Sequence, residues 1–138
     1  MRKENRLKKR KQFNWTFKNG TSVHSKDLVL IYTSSWAKDY KVGFSVTKKV
    51  GKAVVRNKVK RRLREILTKL DGRILPKHTL VFVAKSSIVE AEFLEIEKQV
   101  ELLLKKANLI KELWKNFWTL FFIHSNFWHY YLSIYIRY

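Results

Sequence analysis

Apolar residues between Val55 and Leu70 recur at Val55, Val59, Leu63, Ile66, Leu67 and Leu70, at spacings of four, four, three, one and three. That period predicts an amphipathic helix with one side in a core. Two runs rich in β-branched and aromatic residues precede it, Leu28–Thr33 (LVLIYT) and Lys41–Thr47 (KVGFSVT), joined by the polar stretch Ser34–Tyr40. They predict an antiparallel strand pair, with Thr21–His24 as a short strand before them. Asp71-Gly72 and Pro76 end the helix and turn the chain into a further strand, Thr79–Ala84 (TLVFVA). Near the start, Lys8–Lys18 predicts a short helix with Phe13 and Phe17 on one face, four residues apart. Toward the end, Ser87 is the expected N-cap of a helix reaching about Lys106. Phe93, Ile96, Val100, Leu103, Leu104 and Ala107 form its buried stripe. Glu90, Glu92 and Glu95 early in that helix and Lys105 and Lys106 late in it suit the macrodipole. The resulting order αβββαβα is that of a single small α+β domain, a sandwich of a four-stranded sheet and helices. No internal repeat is visible.

Charge changes the picture from fold to partner. The 138 residues carry a formal net charge of +19, of which residues 1–108 hold 27 basic and 10 acidic side chains. The run Lys48–Arg64 (KKVGKAVVRNKVKRRLR) contains nine basic residues and no acidic one. On the predicted helix, Asn57, Lys58, Lys60, Arg61 and Arg64 fall opposite the apolar side, and Arg56 and Arg62 lie on its two rims, where long side chains still reach outward. Solvated helix faces usually mix signs, and this one does not, so a polyanion is the expected partner: RNA, DNA or an anionic membrane. Affinity for any of these should fall steeply with salt. Gly51 stands just ahead of the helix, where free backbone N–H groups would add to a phosphate site. Residues 2–11 add seven more cations, followed by Phe13, Trp15 and Phe17, and aromatics among cations suit a stacked single strand of RNA.

Several chemistries are excluded or unsupported. The chain has no cysteine, which removes disulfides and thiolate metal sites and permits a reducing compartment. Its basic N-terminus lacks the apolar h-region of a signal peptide, so a cytoplasmic location is expected. Cutting a phosphodiester with protein side chains needs a carboxylate cluster for metal ions or a His pair. Asp27, Asp39 and Asp71 are isolated, and His24, His78, His124 and His129 have no metal-ligand spacing. The scattered glycines form no phosphate loop. The chain therefore reads as a binder of nucleic acid with no catalytic residues of its own and no protein-held metal.

At this point the residues match a known pattern. The segment KVGFSVTKKVGKAVVRNKVKRRLRE resembles the signature of the bacterial ribonuclease P protein component, in which a strand leads through Lys-Lys and a Gly to an Arg-Asn-basic helix. NRLKKRKQF at 5–13, FKNGTSV at 17–23 and the strand at 79–84 followed by Lys85 support it, in family order, over about residues 1–108. The third residue of the helix motif, often Arg in the family, is Lys58 here, which keeps charge without a planar fork.

The resemblance implies a small α+β domain with a left-handed βαβ crossover, unusual among such units. It implies that Lys52, Arg56, Asn57, Lys58, Lys60, Arg61, Arg62 and Arg64 face a catalytic ribonuclease P RNA. Phe13, Phe17 and Tyr32, with Lys48 and Lys49 nearby, would line a cleft for the 5′ leader of precursor tRNA. Chemistry would belong to the RNA subunit and its magnesium ions, no cofactor being bound by the protein alone. The product would be tRNA with a mature 5′ end, and no small-molecule substrate is implied. A general RNA chaperone or ribosome-associated RNA-binding protein is the alternative within the binding class.

Residues 109–138 depart from that pattern. They hold three of the five Trp residues and four of the six Tyr residues, and Phe117–Ile136 is uncharged and long enough to span a bilayer. Asn126, Ser125, Ser133 and two His make it a poor span, and aromatics this dense prefer an interface. The tail is open to three readings: a hydrophobic extension packed on the domain, an interfacial membrane anchor, or a stretch not selected as structure, such as an altered reading frame.

Overall fold

The computed structural model describes residues 1–112. Seven regular elements follow the expected order: α1 (Arg10–Asn19), β1 (Thr21–His24), β2 (Leu28–Ser34), β3 (Lys41–Ser45), α2 (Ala53–Lys69), β4 (His78–Ala84) and α3 (Phe93–Lys106). They form a four-stranded mixed sheet in the order β1-β2-β4-β3.

One expected pairing is different. β2 and β3 are not neighbours, because β4 lies between them, antiparallel to β2 and parallel to β3. The reason is burial. Leu80, Val81 and Phe82 of β4 are all fully buried, so this strand is apolar toward both faces of the sheet and takes a central place. β3 contains Lys41, Gly43 and Ser45 between its apolar residues and suits an edge. α2 is the crossover that a parallel β3–β4 pair requires.

The two faces are covered unequally. Leu28 and Leu30 of β2, Val42 of β3 and Leu80 and Phe82 of β4 project to one face, where they join Val59, Leu63, Ile66 and Leu67 of α2 and Ile96, Val100, Leu103 and Leu104 of α3 in a single core. Nearly all of these are fully buried. The strand period of two sends Val29, Ile31, Val81 and Val83 to the other face, on which α1 packs against β2 and β4. There Val81 is buried, but Val29, Ile31 and Val83 are only half-buried. One short helix does not cover a sheet face, and the uncovered part is a groove.

Both ends of the described part are tied in. The N-terminal stretch runs beside the free edge of β3: Arg6 pairs with Val42 and the Leu7 N–H donates to the Val42 carbonyl at 2.8 Å, which blocks part of an open edge. Arg2 lies 3.6 Å from the Asp71 carboxylate, which also accepts a 2.7 Å bond from the buried Tyr40 hydroxyl. That burial, with the Asp71 bond, pushes the Tyr40 pKa up to about 12. At the other end Ile110 bridges Ile74, the Leu75 N–H donates to the Leu109 carbonyl at 2.9 Å, and both Leu109 and Ile110 are buried. The packed domain thus reaches beyond the boundary expected at residue 108.

Ser87 is not the cap of α3. Residues Ser86–Val89 form a separate 3-10 turn that drives Ile88 fully into the core, and α3 begins only at Phe93. Glu92 is its N-cap, with its N–H donating to the Glu95 carboxylate at 3.2 Å.

Among the described residues no helix is long and apolar enough to cross a membrane. The three readings of the tail concern residues that lie, from 113 onward, outside the described part.

Candidate nucleic-acid interface

α2 carries the cations because its period separates them from the core. Val59, Leu63, Ile66, Leu67 and Leu70 point inward, and Lys52, Asn57, Lys58 and Arg61 are exposed. Arg56, Lys60, Arg62 and Arg64 are half-buried. Arg62 reaches across to the Ala91 carbonyl at 3.4 Å, a long and weak bond. Arg64 is not on the outermost side as its position in the repeat suggested. Its guanidinium lies 5.9 Å from the ring centroid of Phe44 on β3, a ring that in turn stacks on Phe82 at 6.4 Å. Phe44 was not anticipated as a partner. Only the approach of α2 to the edge strand reveals it.

The electrostatics of this helix are one-sided. Ion pairs among the described residues join Lys69 to Glu97, Arg73 to Glu101 and Arg2 to Asp71. None involves any of the nine cations of Lys48–Arg64. At the head of the helix Gly51 adopts φ 149°, where a side chain is disfavoured, and the N-cap Lys52 makes no side-chain cap bond. The first-turn N–H groups are therefore free to meet an anion alongside the lysines.

The second feature is the groove on the α1 face. Phe13, Thr16, Phe17 and Gly20 share the side of α1 turned to the sheet, at spacings of three, one and three. Gly43 is what lets the helix settle. A Cβ at this position would stand 2.4 Å from Phe13 Cζ and 3.1 Å from Leu7 Cδ2, so the aromatic ring lies directly on strand backbone. Gly20 closes against Ile31 of β2 in the same way, at 2.7 Å from Ile31 Cγ2. The helix thus runs from β3 toward the β1–β2 side. Phe13 remains half-buried and Phe17 is 44% exposed, which leaves aromatic surface along the groove. Lys48 and Lys49 are exposed in the 3-10 turn after β3, at the end of the sheet where Ser45 and Val83 are half-buried.

Tyr32, expected beside Phe13 and Phe17, is on the other face. It pairs with Leu80 and packs on the main core, in line with Leu28 and Leu30. The side chain of β2 that shares the face of Phe13 is Ile31, opposite Val81. Strand alternation carried the signal, and the attraction of an aromatic side chain obscured it.

The outer ends of the sheet are held by polar contacts. Asp27, almost fully buried, accepts a 2.6 Å bond from the Gln99 amide, and its backbone N–H donates to Gln99 Oε1 at 2.9 Å. Burial works to raise the Asp27 pKa, but the nearby Ser87 hydroxyl, the Gln99 bond and the charges of Lys26 and Lys85 outweigh it and hold the carboxyl below its usual range. The network ties the β1–β2 turn to α3. No group of three or more His, Cys, Asp or Glu side chains stands close enough to hold a metal ion among the described residues.

The chain resembles known proteins both in sequence and in fold. Residues 1–108 match the family described as Ribonuclease P. The ribonuclease P protein component of Caldanaerobacter subterraneus subsp. tengcongensis is 38% identical over 107 residues, which cover 78% of this chain and 92% of that protein. The solved structure of the Staphylococcus aureus RNase P protein superposes with a TM-score of 0.73 at 30% identity, covering 78% of this chain and 98% of that one. For the RNase P protein from Thermotoga maritima the TM-score is 0.68 at 30% identity, with 73% and 96% covered. By its sequence and by its fold, the chain belongs to the ribonuclease P protein family.

Proposed function

We propose that this chain binds the catalytic ribonuclease P RNA through α2 and grips the 5′ leader of precursor tRNA in the groove between α1 and the sheet, promoting endonucleolytic removal of the leader. The observation that carries the reading is the set of nine cations in Lys48–Arg64 with no ion-pair partner among the described residues. Like charges held together without acids raise the free energy of the isolated protein, and a polyphosphate backbone removes that penalty by releasing its counterions. In this assignment Lys52, Arg56, Asn57, Lys58, Lys60, Arg61, Arg62 and Arg64 meet the RNA subunit. Phe44 steadies Arg64. Phe13, Phe17 and Ile31 line the groove, and Lys48 and Lys49 meet leader phosphates.

The reaction chemistry is assigned to the RNA subunit and its magnesium ions. The protein's own part is electrostatic and positional. Its cations lower the repulsion between two RNAs, and its groove holds the single strand next to the bond to be cut. Both RNA partners point to work in the cytoplasm.

The test is 5′ cleavage of a precursor tRNA by a bacterial ribonuclease P RNA at low magnesium, with and without the protein. Restored cleavage is the expected result. Replacing Lys58 and Arg61 by Gln should flatten the dependence of RNA-subunit affinity on salt by about two contacts' worth, a log–log slope change of roughly 1.5 to 2. RNA binding without restored cleavage would instead mark a general RNA chaperone.

A further inference from the structure

α1 has two faces, and the groove uses one. On the opposite side Lys11, Trp15 and Lys18 follow one another at spacings of four and three, so they form a single outward stripe. Trp15 is 63% exposed and both lysines are exposed. Packing of a ten-residue helix on a sheet explains Phe13, Thr16 and Phe17, but it leaves Trp15 without a purpose. A large apolar ring facing water is unfavourable and calls for a ligand. Its neighbours identify the chemistry. One turn to either side, about 4.5–6 Å along the axis, stands a lysine. Neither lysine has an ion pair among the described residues, and Lys8, Lys9 and Arg10 add charge at the same end of the helix. An aromatic platform flanked by free cations matches a base with a phosphate on each side.

We propose that the outer face of α1 is a second single-strand track, on which Trp15 stacks a base of the precursor's 5′ leader beyond the groove while Lys11 and Lys18 take the adjoining phosphates. The inference rests on the groove being the leader site. Position favours the leader over the RNA subunit as occupant. α1 and α2 lie on opposite faces of the sheet, so an RNA docked on α2 is separated from Trp15 by the sheet and by α1 itself. A strand leaving the groove has only one helix width to pass, about 10–12 Å.

The experiment uses the holoenzyme, assembled from the full chain and a bacterial ribonuclease P RNA, and measures the Kd of precursor tRNAs with a short leader or with one extended at its 5′ end. The unaltered protein should bind the extended leader more tightly. Trp15→Ala should lose about five- to tenfold for the extended leader and nothing for the short one. Trp15→Gln, which keeps an exposed helix position polar without adding charge, should lose the same. Replacing Lys11 and Lys18 by Gln should reduce the salt slope for the extended leader by about 1.4. Trp36→Ala, which removes a fully exposed indole in the β2–β3 loop, should change neither affinity. The proposal is overturned if the two leaders bind alike to the unaltered protein, if Trp15→Ala weakens both leaders equally, or if it weakens assembly with the RNA subunit. Phe13→Ala separates the two levels. If it leaves the short leader unaffected, the groove reading fails, whereas a Phe13 effect without a Trp15 effect removes only the outer track.

Discussion

Gly43 shows how much of the groove hangs on one missing side chain. With Phe13 Cζ 2.4 Å from where its Cβ would be, Gly43→Ala must displace a ring that is packed on backbone and has few rotamers to escape into. Overpacking of this kind costs about 1–3 kcal/mol, so thermal unfolding of Gly43→Ala should shift down while the domain still folds. The larger loss should be in leader affinity, read as the Kd of a short-leader precursor, because the displaced ring belongs to the groove wall. Ile31 and Tyr32 make the complementary pair. Ile31→Ala should weaken leader binding and Tyr32→Ala should lower the melting temperature by an amount worth about 1–3 kcal/mol with leader binding kept, because the two side chains project to opposite faces. A Tyr32→Ala variant that lost leader affinity at unchanged stability would contradict this division. Phe13 and Phe17 were legible from helical spacing alone, and Tyr32 was not, since a single residue of register decides the face of a strand. The nearest aromatic is a weaker guide than the alternation Leu28, Leu30, Tyr32 against Val29, Ile31, Thr33.

At the level of elements, helices were easier to read than their partners. The stripes of α2 and α3 follow from periodicity, and the observed core uses the same residues. Strand order did not follow, because apolar runs in β2 and β3 look like a hairpin whichever strand lies between them. Only the burial of β4 on both faces places it at the centre. The start of α3 was displaced for a related reason. Ile88 needs the core, and the turn that takes it there leaves Ser87 beside Asp27. That arrangement has a pH consequence. The folded pKa of Asp27 is depressed, so the stabilisation from its ionised form is present above the unfolded value and is lost as pH falls through the folded one. Melting temperature should therefore decline on acidification below about pH 4, and Asp27→Asn should remove part of that decline while lowering stability at neutral pH. An Asp27→Asn variant with the acid profile of the unaltered protein would show that other carboxylates carry it.

Across the whole molecule, charge and packing have different limits. The cations concentrate on α2 and the N-terminal stretch, whereas five of the acids, Glu90, Glu92, Glu95, Glu97 and Glu101, lie on or just before α3, so charge is spread unevenly over the domain. Packing, however, continues past the last motif of the family signature. Leu109 is 2% and Ile110 is 8% exposed, and the Lys111 N–H donates to the Arg73 carbonyl at 2.7 Å, which fastens the chain after α3 to the segment before β4. Truncation after Asn108 removes two core side chains and these backbone bonds, and should cost about 2–5 kcal/mol, enough to unfold much of a domain of ordinary stability. Truncation after Glu112 should leave the melting temperature unchanged and restore precursor tRNA cleavage as well as the full chain does. Thermal melts and low-magnesium cleavage of the two shortened proteins decide the matter together. If the longer truncation product melts like the full chain and rescues cleavage while the shorter one does not, residues 109–112 belong to the working domain. The aromatic stretch after them is then dispensable to both fold and RNA processing. A fall in melting temperature after Glu112 would assign that stretch to the domain surface as a packed extension, and would account for its apolar composition.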